Sequence, residues 1–413
     1  MENFRKKYRR FLFHILGFAI LFFLYATYAY YRNTITDTLC IQTDTTQEIN
    51  WNIPASGVIH ADSSQVVSFS KPVTFITGSE AETYAMDLKL FGFVPLKKVD
   101  VEIVKTKEVI PIGSPIGIYL KTQGVLVLNV GSFPNETGHD CSPAKNLLEA
   151  GDYLLAMDGI AITGKSQVKD YIEACNGKEI CFQIKREQKT MEIALTPEKY
   201  LGTSYKAGIW LRDSAQGIGT MTYIDEDLHF GALGHGINDV DVGELLNLGN
   251  GLLYRTEILS IKKGTKGEPG EITGLILYEP NQICGVITEN TKIGIYGSVT
   301  QELYEQRKEK SVPIAFKQDV KPGKAQILYQ LGEEAKTYDI EITDLDYNNN
   351  EINQRIVFRV TDDELLSITG GIVQGMSGSP ILQDGKIVGA VTHVFVNDPA
   401  KGYGIFIENM LKQ

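Results

Sequence analysis

The chain has 413 residues, 43% hydrophobic and 22% charged, which is the composition of a folded protein and a length greater than one compact core fills. Its formal net charge of -11 and sequence pI near 5.2 make phosphate backbones repel it, which excludes nucleic acid as a partner. Five cysteines (Cys40, Cys141, Cys175, Cys181, Cys284) make no CxxC pair and no Cys/His cluster, so neither a zinc knuckle nor a dense disulfide framework is expected.

The N-terminus carries Arg5, Lys6, Lys7, Arg9 and Arg10, followed from Phe11 to Tyr31 by a run whose only ionisable group besides tyrosines is His14. As a helix this run reaches about 30 Å, the thickness of a bilayer core. Basic residues before it and Tyr25, Tyr28, Tyr30 and Tyr31 at its far end place the N-terminus in the cytoplasm and the bulk of the chain outside. A cleaved signal peptide would end in a small-x-small site, which Ala26-Thr27-Tyr28-Ala29 does not offer, so residues 1–31 are expected to be an uncleaved anchor. The threonine-rich residues 32–50 lack apolar periodicity and are expected to be a linker. Residues 51–107 hold short β-like runs such as Gln65–Phe69 and Asp100–Val104, broken by Gly57 and Gly92, and predict a small all-β module acting as spacer or interaction unit.

Residues 108–197 predict strands at Pro115–Leu120 and Gly124–Leu128, an apolar helical turn from Ser142 to Leu148, and a strand ending at the Asp158-Gly159 turn. A helix over Ser166–Ala174 and a last strand pair around Ile180–Ile184 and Met191–Leu195 complete the run. It resembles a PDZ domain, most specifically in Gly-Asp-x-Leu-Leu-x-x-Asp-Gly. In PDZ domains an apolar-Gly-apolar loop presents backbone N–H groups to a peptide carboxylate, and a strand edge accepts the peptide. The resemblance puts Ile116, Gly117 and Ile118 in that role.

Residues 198–413 are rich in glycine and short alternating strands, the texture of a β-barrel or double barrel. The passage Gly375-Met376-Ser377-Gly378-Ser379-Pro380 suits a nucleophilic serine on a tight loop. Its glycines remove side chains that would block a substrate carbonyl, and the backbone N–H groups of Gly375 and Ser377 are placed to form an oxyanion hole. A two-residue turn at Asp384-Gly385 then leads into Ile387–Thr392, and the arrangement resembles the nucleophile region of chymotrypsin-like peptidases. A serine needs a base, and His235, between Gly234 and Gly236, is the candidate, with His393 in reserve. Spacing does not choose the orienting acid among Asp239, Asp241, Asp319, Asp339, Asp344, Asp346, Asp362 and Asp363.

The order of anchor, β module, PDZ-like run, Gly-His-Gly-Ile-Asn-Asp and Gly-Gly-Ile-Val-Gln-Gly-Met-Ser-Gly-Ser-Pro-Ile resembles the SpoIVB sporulation serine peptidases of endospore-forming bacteria. The resemblance implies Ser377 as nucleophile, His235 as base and Asp362 as third member. It further implies self-processing, and cleavage of the extracytoplasmic part of a membrane regulator that restrains an intramembrane metalloprotease, so that a late sigma factor is activated. The expected location is the space between the forespore membranes.

The expected fold class is therefore mainly β: a transmembrane helix, a small β module, a PDZ domain, and a chymotrypsin-like double barrel. Two other readings are a catalytically silent PDZ scaffold and a quality-control peptidase of the HtrA type, in which the PDZ module would follow the catalytic domain instead of preceding it. No metal and no organic cofactor is expected, since the histidines and cysteines make no ligand cluster and no phosphate-cradling glycine loop joins a strand to a helix.

Overall fold

The computed structural model describes residues 2–412 apart from 45, 50, 52, 61–64, 72, 78–81, 106, 203 and 348. Helix α1 (Glu2–Thr34) is long and apolar enough to cross a membrane, and its apolar side chains, Phe13, Phe18 and Phe23 among them, are exposed. Lipid is the environment in which such a surface carries no hydrophobic penalty.

The expected linker at 32–50 is not one. Helix α1 runs on to Thr34, and strand β1 (Thr38–Gln42) pairs in parallel with β5 (Val94–Val104). The rest of this sheet is β2 (Ala55–His60), β3 (Gln65–Ser68) and β4 (Glu82–Leu90), in the order β1-β5-β4-β2-β3. Ile35, Leu39 and Ile41 are at most 1% exposed and pack with Met86, Leu88, Val99 and Val101. Each contributes about 1.5–3 kcal/mol, which outweighs the polar composition of the stretch. Cys40, on the other face of β1, packs against Phe316 and Ile405 and directs its thiol at Glu408, so the N-terminal sheet is docked on the C-terminal end of the chain.

Two barrels follow. The first is a ring of six strands in which each pairs with the next: β7 (Pro115–Val130), β13 (Leu248–Tyr254), β16 (Ile283–Thr291), β17 (Gly294–Val299), β12 (His229–Ala232) and β11 (Ile209–Ile224), which returns to β7. Its interior holds Ile116, Ile118, Leu120, Met221, Phe230 and Leu253. Strand β6 (Glu108–Pro111) adds to the far end of β11. A hairpin of β14 (Thr256–Lys262) and β15 (Gly270–Ile276) stands beside the ring. The second barrel closes in the order β18 (Gly323–Tyr329), β19 (Lys336–Leu345), β20 (Ile356–Val360), β24 (Lys401–Phe406), β23 (Lys386–Val394) and β22 (Pro380–Gln383). Helix α3 (Asp363–Thr369) and the short β21 (Val373–Gln374), paired in parallel with β15, lie between β20 and β22. The fold is thus mainly β with a double barrel.

The remaining unit uses the far half of β7 and the near half of β11. They join β8 (Tyr153–Met157), β9 (Ile180–Arg186) and β10 (Lys189–Leu195) in the order β10-β9-β8-β7-β11, and α2 (Lys165–Ala174) packs on them through Val168 and Ile172. The aspartate of the Gly-Asp-x-Leu-Leu run, Asp152, is fully buried and accepts two 2.7 Å bonds from Arg186. The expected helical turn after Ser142 is a succession of turns. Packing also moves the expected boundaries at 108–197 and 198–413: Ile110 to Leu120 belong to the first barrel's core, whereas Ala207, Ile209 and Leu211 complete the core of the small unit. The cause is that β7 and β11, 16 residues each, run antiparallel through both units, so the two share one ribbon.

Candidate active site

Ser377 lies on the loop from β21 to β22, where the second barrel meets the first. Gly375 and Gly378 have φ of +104° and +100°, values that side chains resist. A Cβ at Gly378 would lie 2.0 Å from the Thr220 carbonyl oxygen. This close approach lets β11 hold the loop: the Thr220 N–H donates to the Ser377 carbonyl at 3.0 Å, its Oγ1 to the Gly375 carbonyl at 2.7 Å, and Thr222 Oγ1 to the Gly378 carbonyl at 2.7 Å. Both threonines are fully buried. From the other side the Gly378 N–H donates to Val391 at 2.7 Å and Ser379 Oγ to Met376 at 2.6 Å. The Ser377 N–H has no hydrogen-bond partner among the described residues, as an oxyanion donor requires. The turn after β22 forms as expected, with Asp384 and Gly385 at φ 51° and 76°.

His235 follows β12 through Leu233 and Gly234, both at φ +70°. A Cβ at Gly234 would meet Thr392 at 2.8 Å, so the glycine brings the histidine loop against β23. Asn290 pins the loop beyond: its Oδ1 accepts from the Ile237 N–H at 2.9 Å, and its Nδ2 donates to the carbonyls of Ile237 (2.9 Å) and Leu246 (3.0 Å). The His235 Nδ1 is 2.9 Å from the Gly236 carbonyl oxygen. A carbonyl only accepts, so Nδ1 carries the proton of that bond and Nε2 keeps its lone pair. Burial holds the imidazole below its ordinary pKa, which favours its neutral form. The His393 ring lies 5.1 Å away at 37°, with an Nδ1 that finds no hydrogen-bond partner among the described residues; burial first, and His235 second, pull its pKa down to about 4.

Ser377 and His235 line one cavity of about 310 Å3 with Leu233, Ile237, Gln374 and Gly375. The structure therefore brings together Ser377, His235 and Gly375, three of the expected site residues. It does not join the hydroxyl to the imidazole: Ser377 Oγ donates to the Thr392 carbonyl at 2.7 Å.

Asp362, expected as the third member, is not hydrogen-bonded to His235 and has other partners. Its Oδ1 caps α3 by accepting the Leu365 N–H at 2.9 Å, and its Oδ2 accepts the Asp339 N–H at 3.3 Å. Among the described residues no carboxylate is paired with His235. Asp239, nearest to it in sequence of the candidate acids, is buried but committed to Arg212 and to the N–H groups of Asp241 and Val242.

Ile116, Gly117 and Ile118 do not form a carboxylate-binding loop. They sit inside β7, paired with β11 on one edge and, at Gly117 and Ile118, with β13 on the other. Gly117 is required because Ile276 covers it, 2.6 Å from where a Cβ would be. An apolar-Gly-apolar run does lie beside α2 at Ala207-Gly208-Ile209, with Gly208 at φ +72°. A groove of about 390 Å3 separates it from Lys169, Ile172 and Glu173 of α2. Thr220, Thr222 and Asn290 also escaped the sequence reading; the only signal for the first two is their alternation with the core residue Met221 on a strand.

One set of possible metal ligands, Asp225, Asp227 and His229, has atoms within 4.8 Å of one another. Asp225 is already engaged by Lys107 and by the N–H groups of Asp227 and His229, which makes the set a turn closed by its first residue.

A serine and a neutral histidine at the junction of two six-stranded barrels define a serine peptidase. The family model described as SpoIVB peptidase S55 matches residues 203–411, and the chain belongs to that family. A solved structure of the Rv3671c protease in its inactive form is similar over 48% of this chain and 82% of that one, at 15% identity and a TM-score of 0.25. No curated protein matches the chain.

Proposed function

We propose that the protein is a membrane-anchored serine endopeptidase in which Ser377 is the nucleophile and His235 the general base and acid. The observation that carries this is the shared cavity at the barrel junction, where both residues stand with Gly375. A χ1 rotation of Ser377 away from the Thr392 carbonyl turns its hydroxyl toward the imidazole. Nε2 then takes the proton as Oγ attacks the peptide carbonyl, the Ser377 N–H and Gly375 receive the oxyanion, and the imidazolium returns the proton to the leaving amine. The Gly236 carbonyl fixes the imidazole tautomer, the task a carboxylate performs in other sites of this kind.

The anchor, by its basic flank and tyrosine belt, orients the N-terminus to the cytoplasm and the catalytic unit outside. Membership of the SpoIVB family supports a role in sporulation: self-processing, then cleavage of the extracytoplasmic part of a membrane regulator between the forespore membranes, which frees an intramembrane metalloprotease to activate a sigma factor. The small unit spanning residues 124–211 acts as a PDZ module. Its peptide site is the groove between Ala207-Gly208-Ile209 and α2, where Lys169 and Lys206 suit a terminal carboxylate. The test is the full chain in detergent micelles, followed by mass spectrometry. Shortening that Ser377→Ala and His235→Ala both prevent supports the assignment; shortening that persists in Ser377→Ala overturns it.

A further inference from the structure

The edge of β11 that holds the nucleophile loop is open next to it. The N–H and C=O of Thr220 point away from β7, to the Ser377 carbonyl and to the Leu233 N–H. Backbone groups two residues apart on a strand point the same way, so those of Ile218 and Gln216 face away from β7 as well, and no strand pairs with them among the described residues. Across from them stands β15, which is paired with β21 only at Gly270 and Glu271 and leaves Ile272–Ile276 unpaired on that side. The space between these edges is a cleft of about 520 Å3 that ends where Tyr278 donates to Gln216 at 2.6 Å, and it opens past Gln374 and Gly375 into the Ser377 cavity.

One wall of the Ser377 cavity is Gly217. An added Cβ there meets nothing within 4 Å, and its φ is not positive, so neither packing nor backbone strain explains the glycine. Gly219, two residues on along the same face, would strike Leu233 at 2.1 Å. Around Gly217 the lining is Ile118, Leu233 and Ile237 with the neutral Gln216, Asn238 and Gln374, and no lining residue is acidic or permanently cationic.

We propose that the substrate is an extended peptide segment that adds as a strand to the Gln216–Ile218 edge, and that an apolar side chain within two residues of the scissile bond fills the cavity whose size Gly217 sets. This rests on Ser377 being the nucleophile. A charged side chain entering this cavity would lose its hydration without a counter-charge, whereas an apolar one gains by burial. The open edge supplies main-chain hydrogen bonds that any sequence can make, and the cavity supplies the choice.

The experiment digests a peptide library with the full chain in detergent micelles, alongside Gly217→Leu and the milder Gly217→Ala, and reads cleavage products by mass. The parent should prefer Leu, Met or Phe over Ala at one position flanking the cut. Gly217→Leu should lower the Leu-to-Ala ratio of kcat/KM there by about 10-fold or more, with Gly217→Ala between them. The ratio within one enzyme sample does not depend on the fraction folded. An absent apolar preference, or one that both variants leave unchanged, overturns the proposal. A parent whose Ser377 takes up no diisopropyl fluorophosphate instead sinks the nucleophile assignment, and the cleft proposal with it.

Discussion

The backbone N–H of Thr220, in the first barrel, donates at 3.0 Å to the carbonyl of Ser377, in the second. With Thr220 Oγ1 on Gly375 and Thr222 Oγ1 on Gly378, three residues of the Ser377 loop are held by one strand of the opposite barrel. The shape of the site therefore depends on how the two barrels are seated as much as on the loop's own glycines.

Thr220→Val keeps the shape of the side chain and deletes Oγ1, leaving the Gly375 carbonyl without that donor. The expected cost is about 1–3 kcal/mol of stability, with slower fluorophosphonate labelling of Ser377 because its loop is less fixed. Chemical denaturation and labelling rates check this; an unchanged midpoint and rate would mean that the bond contributes nothing.

Asp362 separates a cap from a catalytic acid. As the N-cap of α3 its replacement by Ala should cost about 1 kcal/mol, and Asn, itself a good cap, should restore stability and leave kcat nearly intact. As the acid of a triad, Asn should instead lower kcat by about 10⁴-fold. Paired measurements of melting and turnover on the two variants decide between the roles, and the structure predicts the first pattern.

Acid should affect activity and stability through different histidines. In its proposed role as base His235 must be neutral, and burial lowers its pKa, so kcat/KM should fall only below the ordinary imidazole range as pH decreases. His393 has a folded pKa near 4 against 6.5 in the free side chain. The unfolded chain thus takes up the proton first, and the stability associated with neutral His393 is complete above about 6.5 and lost as pH falls toward 4. Denaturation midpoints at several pH values should show a smaller acid slope for His393→Phe; an identical slope would contradict the assignment.

Much of this was legible in the sequence. The long apolar N-terminal helix, the glycines around Ser377 and His235 and the Asp384-Gly385 hairpin each follow from local chemistry that tolerates few alternatives. What misled was composition and local pattern. Threonines hid the alternation of Leu39 and Ile41, which becomes visible only when β5 is there to receive it. Ile116-Gly117-Ile118 and Ala207-Gly208-Ile209 are equally apolar-Gly-apolar, and only the long pairing of β7 with β11 shows which is covered and which faces α2. Asp362 sits at a helix start that its own sequence, Asp before Asp-Glu-Leu-Leu, announces as a cap.

The sheet docked through β1 makes its own prediction. A chain starting at residue 51 lacks Leu39, Cys40 and Ile41 and leaves the edge of β5 bare, so it should melt lower and aggregate more readily than one starting at residue 35. Equal melting of the two would return residues 35–50 to the role of a linker.

The most direct test of the account is covalent labelling of the full chain in detergent micelles with a fluorophosphonate, followed by peptide mapping of parent, His235→Ala and Ser377→Ala. A single adduct on Ser377 is expected in the parent, labelling slowed by a factor of about 10³ or more in His235→Ala, and none in Ser377→Ala. Labelling of Ser377 that proceeds as fast without His235, or an adduct on another serine, would contradict it.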